Sequence, residues 1–322
     1  MKILCLISNP DRPSYRYRIE QYVPFFVSTG MDIEVREINQ KFKRWKLIYS
    51  ADRYAGVFIQ KKLLSRPELW FLRRKAKKIV YDYDDAVKFT KDCFSTKSRR
   101  YKRFKSMIEA ADLIVAGNEY LADFAGDKNK VIVVPTVVDV SKYPIHSRNG
   151  NNVTIGWIGS RSTQNYLENI VPVFKKITDR YPQVIVKIVS DEMSSWSSGN
   201  VVWERWGKEK EIEQLLSFDI GIMPLMDDPW TRGKCGFKLI QYMATGIPVV
   251  CSPVGVNNSI VQNGVNGFFA SGTNDWEEKL SLLIEDKNLY NSMAVNSRNI
   301  AEKNYNLAHW GTFLSGKIKS IL

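Results

Sequence analysis

The stretch RGKCGFKLIQYMATGIPVVCSPVG, from Arg232 to Gly255, decides the predicted fold. FKLIQYMATG has the apolar spacing of an amphipathic helix that ends at Gly246, and IPVVCSPVG is a short apolar strand leading into a glycine-containing loop. Just before this stretch, DIGIMPLMDDPW (219–230) is a strand followed by an acidic loop. A strand–helix–strand order of this kind is typical of a parallel sheet covered by helices.

The same alternation of strands and helices runs through the whole chain. Strands are predicted at 2–8, 32–38, 56–60, 78–81, 112–116, 130–134, 153–158, 184–189, 219–223, 248–251 and 267–270. Helices are predicted at 18–29, 68–78, 100–111, 119–125, 166–181, 209–217, 238–244, 259–262, 275–284, 289–303 and 309–322. Because 135–152 holds prolines and no long apolar run, a linker is expected in its later part. We predict an α/β protein of two Rossmann-like, doubly wound domains facing a cleft, divided at 147–148.

Composition is that of a soluble globular protein, with 44% hydrophobic and 25% charged residues in a chain of 322. The four cysteines form no CxxC pair and only two histidines are present, so we expect reduced, buried thiols and no zinc site. The first apolar run is too short for a signal peptide, and no run reaches the roughly 18 residues of a membrane span. The predicted location is cytoplasmic.

Positive charge is concentrated in the first half of the chain. Residues 1–150 hold 30 Lys and Arg against 17 Asp and Glu, whereas residues 151–322 hold 17 of each. The densest runs are RRKAKK at 73–78 and KSRRYKRFK at 97–105. This asymmetry indicates an anionic partner, either a membrane surface, a lipid-linked substrate or a nucleic acid, although a solvated basic helix face would also explain it. Nucleic acid is disfavoured because no recognised binding module accompanies the charge.

A first candidate anion site lies in TIGWIGSRSTQNYL (154–167), where a strand runs into Gly159. The residues that follow it at a helix start are Ser160, Arg161, Ser162 and Thr163. Backbone amides, hydroxyl groups and a guanidinium at such a position suit a phosphate. The alternative is an ordinary strand-to-helix turn with a serine or threonine cap.

A second candidate anion site lies within 232–255. Lys234 and Lys238 are placed to meet a diphosphate across from Gly159, and Gln241, inside the helix, is placed to bond a ribose. The alternative is that Lys238 and Gln241 occupy the polar face of a surface helix.

In the first half, YDYDDAVKF brings Asp82, Asp84 and Asp85 to the carboxyl end of a strand. A carboxylate there could orient or deprotonate an acceptor hydroxyl, or contact a donor sugar. A metal site and a solvated acidic turn are the alternatives. The segment DRPSYRYR (11–18) follows the first strand, and Arg16 or Arg18 is predicted to contact the acceptor or a donor phosphate. A salt-bridged helix start is equally compatible with that segment.

The stretch 232–255 resembles the donor-binding signature E-G-F-G-x-x-x-L-E-A-M-A-x-G-x-P-V-V of retaining nucleotide-sugar glycosyltransferases of family 4, which have the GT-B fold. DIGIMPL (219–225), NGVNGFFA (263–270), VVPTVVDVSKY (133–143) and 154–167 resemble further segments of that family. The resemblance implies that domain 148–305 binds the donor and domain 1–147 the acceptor. It also implies that the last helix, about 306–322, crosses back to the N-terminal domain.

Two departures from the family pattern concern its glutamates, which lie eight positions apart and fall on Gly233 and Gln241 here. Gln241 retains the capacity to bond ribose hydroxyls. The role of the first glutamate is predicted to pass to the Gly236 amide, or to Asp227 or Asp228. The family histidine after strand 78–81 is also missing, since the chain has no histidine before position 146.

The resemblance therefore implies a retaining, hexosyl-type glycosyltransferase that moves a sugar from a nucleoside-diphosphate sugar to a hydroxyl acceptor without a metal or another cofactor. The predicted catalytic residues are Asp84, Asp85, Arg161 and Lys238. The predicted donor-binding residues are Gly159, Ser160, Ser162, Thr163, Lys234, Gly236, Phe237 and Gln241, and the predicted acceptor-binding residues are Arg16 and Arg18. We expect a glycan or lipid-linked acceptor from cell-surface polysaccharide synthesis, reached from the inner membrane leaflet. A nucleotide-sugar epimerase, a phosphate-polyol transferase and a degenerate sugar-nucleotide-binding protein are the alternatives.

Overall fold

The computed structural model describes residues 1–148, 150–193 and 200–322, whose strands form two parallel six-stranded sheets. The strands of the first sheet are β1 (Lys2–Ile7), β2 (Asp32–Glu37), β3 (Gly56–Gln60), β4 (Ile79–Tyr83), β5 (Leu113–Ala116) and β6 (Val131–Val133). Those of the second are β7 (Val153–Ile158), β8 (Val184–Ser190), β9 (Val201–Arg205), β10 (Ile220–Met223), β11 (Val249–Cys251) and β12 (Gly267–Phe269). The spatial orders are β2-β1-β3-β4-β5-β6 and β12-β11-β10-β7-β8-β9.

Helices lie between most pairs of successive strands, as the crossover connections of parallel sheets usually do. They are α1 (Pro13–Arg18), α2 (Val23–Ser28), α3 (Lys41–Tyr49), α4 (Arg66–Lys75), α5 (Arg99–Ala110), α6 (Glu119–Ala122), α7 (Val171–Arg180), α8 (Glu211–Leu216), α9 (Phe237–Ala244), α10 (Asn257–Ile260), α11 (Thr273–Glu285), α12 (Lys287–Asn304) and α13 (Leu307–Ile321).

Two units are distinguished by their internal contacts. Unit 1 comprises Met1–Val137, Asp228–Cys235 and Leu307–Leu322, and unit 2 comprises Val138–Asp227 and Gly236–Asn306. Helix α13 groups with unit 1, and it packs against α2. The division falls at 137–138 rather than at 147–148, and the segment 228–235 of the signature region is assigned to unit 1.

Each sheet has a point at which the strand order reverses. In unit 1 it lies between β1 and β3, and in unit 2 between β7 and β10. Ligands of open parallel sheets bind outside the carboxyl ends of the strands at such points. The residues that follow β7 and β10, including Gly159, therefore occupy the favoured position in unit 2.

Several elements differ from the predictions. Helix α1 (Pro13–Arg18) was not predicted, and it ends where the helix predicted at 18–29 was expected to begin. Ile19 then leaves the helical conformation with φ −128° and ψ −63°, and α2 begins only at Val23. Helix α3 was not predicted, since its sequence KFKRWKLIY is dominated by charge. Strand β9 was not predicted either, and it forms an edge of the second sheet.

Within the described residues, no helix is both long enough and apolar enough to cross a membrane. The four cysteines are free, with Cys5, Cys235 and Cys251 buried. Cys93 is exposed, so the expectation of buried thiols was wrong for this residue. Burial raises the pKa of the Cys235 thiol to about 12, which makes it a poor nucleophile at neutral pH.

Candidate functional site

The carboxyl end of β7 brings Gly159 and Lys238 of unit 2 together. A Cβ atom at position 159 would stand 2.6 Å from the Trp157 ring and 2.7 Å from the Lys238 Cε, so glycine leaves the room that the lysine chain occupies. Lys238 Nζ lies 5.3 Å from the centre of the Trp157 ring, within cation–π distance. The ammonium group therefore stands beside the strand end at which a ligand of this sheet is expected.

Tyr242 fixes the orientation of α9, and with it the position of Lys238. The Tyr242 side chain is fully buried and its ring lies against Gly221 of β10. Its hydroxyl accepts a hydrogen bond from the Ile158 amide at 3.1 Å. Residues four apart share a helix face, so this anchor directs Lys238 towards the same strand end.

Gly236 precedes α9 in the left-handed conformation, with φ 64° and ψ 20°. This conformation favours glycine, and a Cβ atom would also collide with the Ile260 side chain. The turn allows α9 to begin directly at Phe237. An anion at this helix start gains from the positive end of the helix dipole and from the adjacent Lys238.

In the loop after β7, two of the backbone amides predicted to bind phosphate donate hydrogen bonds to other groups of the protein. The Gly159 amide donates to the Val189 carbonyl at 3.0 Å, and the Arg161 amide donates to Asp191 Oδ1 at 2.6 Å. The first bond extends the β7–β8 ladder past the end of the strand. The prediction that amides near Gly159 hold the diphosphate is thereby corrected for these two groups, because each already has a protein acceptor.

The side chains of the same loop lie at the surface. The hydroxyls of Ser160 and Ser162 are 2.9 Å apart, and Thr163 Oγ1 donates to the Ser160 carbonyl at 2.9 Å. The Arg161 guanidinium is more than half exposed and pairs with Glu192 at 2.8 Å. Because solvent screens exposed pairs, the field of Arg161 on a bound anion is weaker than that of Lys238.

Gln241 is buried, and it does not lie on a polar helix face. Its Nε2 donates to Glu211 Oε1 at 3.2 Å, and Glu211 Oε2 accepts from Trp206 Nε1 at 3.0 Å. A buried carboxylate therefore stands next to the position at which the resembling family has its second glutamate. Glu211 was not predicted from the sequence, because its one signal is its place as an acidic residue in the first turn of a helix, thirty positions before its partner.

In unit 1, Asp84 and Asp85 are bridged by a lysine that the sequence analysis also missed. Lys61 Nζ lies 2.5 Å from Asp84 Oδ1 and 2.7 Å from Asp85 Oδ2. In the part of the chain that the structure describes, Lys61 is the one non-glycine residue with positive φ, at 55°. Backbone strain of this kind is concentrated at functional sites. Across the described ranges, no group of three or more His, Cys, Asp or Glu side chains is arranged to hold a metal ion.

Arg18 does not lie where an acceptor could reach it, contrary to the prediction. The guanidinium and the Asp82 carboxylate form a buried ion pair, with each side chain 1% exposed. Arg18 Nη1 also donates to the carbonyl oxygens of Val134 and Pro135, at 2.6 and 3.2 Å. Burial lowers the pKa of Arg18, but the Asp82 carboxylate more than offsets it, so the pKa stands above its ordinary value. Arg16 is half-buried, with its guanidinium carbon 4.9 Å from the centre of the Tyr17 ring.

The segment 228–235 is fixed within unit 1 by several hydrogen bonds. Asp228 Oδ1 accepts from the amides of Trp230 and Thr231 at 2.7 Å each, so this carboxylate closes a turn. Asn118 Nδ2 donates to the Lys234 carbonyl at 3.0 Å. The predicted phosphate cation Lys234 therefore belongs to the unit that does not contain Lys238.

Steric crowding explains why position 233 carries no glutamate. A Cβ atom on Gly233 would stand 2.6 Å from Ala86 Cβ and 2.9 Å from the Ala86 amide nitrogen. The second of these is a backbone atom and cannot rotate away. Any side chain at 233 would therefore displace the segment from unit 1.

Replacing Gly233 with alanine is expected to lower the free energy of unfolding by about 1–3 kcal/mol, the usual cost of inserting a methyl group into a packed site. Urea unfolding measures the change. The matched control is Gly316→Ala on α13 of the same unit, where no atom lies within 4 Å of the new Cβ. That control is expected to stabilise by roughly 0.5–1 kcal/mol, because alanine favours a helix. Equal effects of the two substitutions would show that position 233 has room for a side chain.

Lys88 is a further candidate that the sequence analysis did not identify. Its Nζ lies 3.0 Å from the centre of the Phe124 ring and 4.8 Å from that of Phe89. Burial lowers the pKa of Lys88 to about 8. A lysine in this range exchanges its proton near physiological pH, which is a property of functional lysines, and it follows Asp85 by three positions.

Known proteins resemble part of the chain in sequence and nearly all of it in structure. Residues 152–286 match the family model described as glycosyl transferases group 1, whereas no curated protein sequence matches the chain. The structure resembles that of Anabaena HepE in complex with UDP-glucose over 100% of both chains, with a TM-score of 0.74 and 15% identity. Sucrose-phosphate synthase from Thermosynechococcus elongatus is similar over 100% of this chain and 99% of the other, with a TM-score of 0.78 and 13% identity. The lipopolysaccharide outer core galactosyltransferase WaaB, in its apo form, is similar over 99% and 100%, with a TM-score of 0.65 and 13% identity. These likenesses confirm the predicted GT-B fold.

Proposed function

Because residues 152–286 match the model of glycosyl transferases group 1 and the chain has the GT-B fold, we propose that it transfers a sugar from a nucleoside-diphosphate sugar to a hydroxyl acceptor, with retention. The observation that carries the proposal is the approach of Lys238 to Gly159 at the strand-order reversal of unit 2. The UDP-glucose in the HepE structure supports a nucleotide-sugar donor. The sugar is proposed to be a hexose.

The diphosphate of the donor is proposed to bind at the start of α9. Lys238, the Gly236 turn and the first amides of the helix provide positive charge there, and Phe237 lies at the same helix end. As the bond to the sugar breaks, negative charge develops on the leaving diphosphate, and fixed cations stabilise it. We propose that these groups neutralise the diphosphate without a metal ion. Arg161 and the hydroxyl groups at 160, 162 and 163 are proposed as outer contacts.

The ribose is proposed to bind to Glu211 and Gln241 together. The Gln241 amide donates a hydrogen bond to one oxygen of the Glu211 carboxylate, and the Trp206 indole donates one to the other oxygen. A carboxylate accepts hydrogen bonds from the two vicinal hydroxyls of a ribose, which an amide alone does less strongly. Glu211 would thus supply the charge that position 241 lacks.

The acceptor is proposed to bind to unit 1, where Asp84 or Asp85 orients its hydroxyl or accepts its proton. Lys61 pairs with both carboxylates and holds them in place. Arg16 and Lys88 are proposed to assist by contacting the acceptor. Arg18 is not proposed in this role, because it is buried against Asp82.

The acceptor itself is proposed to be a glycan or lipid-linked intermediate of cell-surface polysaccharide synthesis at the cytoplasmic leaflet. The support for this is the excess of 13 positive charges in residues 1–150, which suits an anionic surface or substrate. No such excess is present in residues 151–322.

Two measurements test the proposal. A thermal-shift panel of nucleotides and nucleotide sugars identifies the donor, and release of nucleoside diphosphate with and without glycan acceptors measures transfer. Retaining transfer is supported if release of nucleoside diphosphate depends on the acceptor and if the anomeric carbon of the product has the same configuration as that of the donor sugar. Release without a glycosylated product would favour an epimerase instead. Tight donor binding without turnover would favour a degenerate binding protein. The absence of a carboxylate at position 233 is also compatible with that alternative.

Glu211→Gln is expected to weaken binding of the matching ribonucleoside diphosphate by roughly tenfold or more, because a charged hydrogen bond contributes about 1.5–3 kcal/mol. Glutamine retains the size of the side chain and an acceptor oxygen for Trp206. Binding of the 2′,3′-dideoxy analogue serves as the control and is expected to change little. If both nucleotides lost affinity equally, the carboxylate would act on the fold of the site and not on the ribose.

A further inference from the structure

Helices α3 and α4 of unit 1 share a surface that the proposed transfer does not use. Trp45 and Tyr49 of α3 contact the Phe71 ring of α4, with centroids 5.4 and 6.0 Å apart, and Phe71 contacts Trp70 at 4.8 Å. We call these rings, together with Phe42 and the cations beside them, the aromatic–cationic face. The rings join two helices into one continuous aromatic surface.

Three rings of this face are turned towards solvent. Phe42 is 87% exposed, Tyr49 57% and Trp70 50%. Phe42 and Tyr49 are seven residues apart, so they lie on the same side of α3, two turns from each other. Exposed apolar groups clustered in this way mark a surface that binds a partner.

Charge on the same segment is strongly one-sided. Residues 41–78 hold 13 Lys and Arg against two acids, Asp52 and Glu68. Both acids are paired, with Lys75 at 2.8 Å and with Arg44 at 2.7 Å. The segment therefore has a net charge of +11 (13 − 2), against +13 for the whole chain, and its own acids do not neutralise its outer cations.

The cations that flank the exposed rings are Lys43, Lys46 and Arg66, for which the described part of the chain offers no acidic partner. A groove of about 630 Å³ runs between α4 and α5 and is lined by Arg66, Trp70 and Arg74, among others. By contrast, Arg73 of the RRKAKK run (73–78) forms an ion pair with Asp112. The cations around the rings therefore come mainly from outside that run, although Arg74 of the run lies against Trp70.

We infer that the aromatic–cationic face binds an anionic lipid bilayer, with Phe42, Tyr49 and Trp70 entering between the headgroups and the flanking cations meeting lipid phosphates. Aromatic side chains favour the membrane–water interface, and each Lys or Arg near an anionic leaflet adds to the attraction. The face carries both features on adjoining helices. This inference goes beyond the transfer reaction and does not depend on it.

Single-stranded nucleic acid, which also binds cationic aromatic surfaces, fits the face less well. Bases stack on open ring faces. The Arg74 guanidinium carbon lies 3.3 Å from the centre of the Trp70 ring and covers one of its faces, while Phe71 is enclosed by its ring neighbours. Rings that offer edges and apolar bodies suit a lipid interface instead.

Sedimentation of the full chain with vesicles tests the inference, in the absence of donor and acceptor. Binding is expected to phosphatidylglycerol-containing vesicles, to fall as salt rises, and to be much weaker with phosphatidylcholine alone. Tryptophan emission is expected to be quenched by vesicles with brominated acyl chains. Because no nucleotide or sugar is present, failure here leaves the proposed transfer intact.

Phe42→Ser is expected to weaken vesicle binding by about tenfold, the value of one large apolar side chain leaving the interface. The matched control is Val295→Ser on α12 of unit 2, also an exposed apolar residue, at 61%. Replacing Lys43, Lys46 and Arg66 together by serine is expected to weaken vesicle binding by on the order of a hundredfold. Its control removes three exposed lysines of unit 2, Lys208, Lys287 and Lys303, and is expected to change binding only a few-fold.

The inference is overturned if the chain does not bind anionic vesicles, or if the face variants and their controls behave alike. It is also overturned if Phe42→Ser abolishes binding of a single-stranded oligonucleotide while vesicle binding persists, since the face would then serve nucleic acid. Circular dichroism melting of each variant establishes that a lost signal reflects the surface and not the fold.

Discussion

Replacing Lys238 with methionine is expected to lower kcat/KM for sugar transfer by about 10²- to 10³-fold, the usual effect of removing one fixed group that stabilises transition-state charge. Methionine preserves the apolar chain that packs beside Gly159 and Trp157, so the fold of the site is retained. The assay is release of nucleoside diphosphate with the donor and acceptor that the panel identifies.

Lys287→Met is the matched control, because this lysine of α12 is exposed and stands outside the candidate site. Its kcat/KM is expected to equal that of the wild type. Arg161→Met should give an intermediate loss of about tenfold, since its exposed guanidinium is screened and shared with Glu192. If the kcat/KM of Lys238→Met stayed within a few-fold of the wild-type value, the proposal that Lys238 binds the diphosphate would be wrong.

The approach of Lys238 to Gly159 was predictable because it depends on local order. A strand ending in glycine, a second strand and a helix with a glycine before it are features of short sequence windows, and parallel topology brings their ends together. The same reasoning located Asp84 and Asp85 at the end of β4. Such positions follow from secondary structure and need no knowledge of side-chain partners.

Partners across long separations could not be predicted in this way. Glu211 meets Gln241 across thirty positions, and Lys61 meets Asp84 across twenty-three. Neither spacing belongs to a motif, so nothing in the chain distinguishes these residues from other charged ones. The crowding at Gly233 is of the same kind, since it arises from Ala86 in another segment of unit 1.

The fold itself was predicted well where apolar periodicity was strong and poorly where charge obscured it. Helix α3 carries four cations in nine residues, and its apolar side chains are divided between a buried Ile48 and exposed rings. Neither helical nor strand periodicity dominates such a segment. The omission of α3 also concealed the aromatic–cationic face, because three of its five rings lie on that helix.

The buried pair of Arg18 and Asp82 leads to the second large expected effect. Arg18→Met would leave the Asp82 carboxylate buried without its cation, and the Val134 carbonyl without a donor. Removing one member of a buried ion pair costs about 3–5 kcal/mol of unfolding free energy. Urea unfolding of the single variant is expected to show a loss of that size, large against the whole stability of a typical protein.

The double variant Arg18→Met, Asp82→Val distinguishes a structural role from acceptor binding. With both charges gone, much of the lost stability should return, because replacing a buried ion pair by apolar groups is often nearly neutral. If the pair is structural, the refolded double variant keeps a KM for the acceptor close to that of the wild type. A raised KM at restored stability, or a loss below about 1 kcal/mol in the single variant, would return Arg18 to the acceptor site. We expect neither, because a guanidinium with 1% exposure, bonded to a carboxylate and two carbonyl oxygens, has little surface left to offer a substrate.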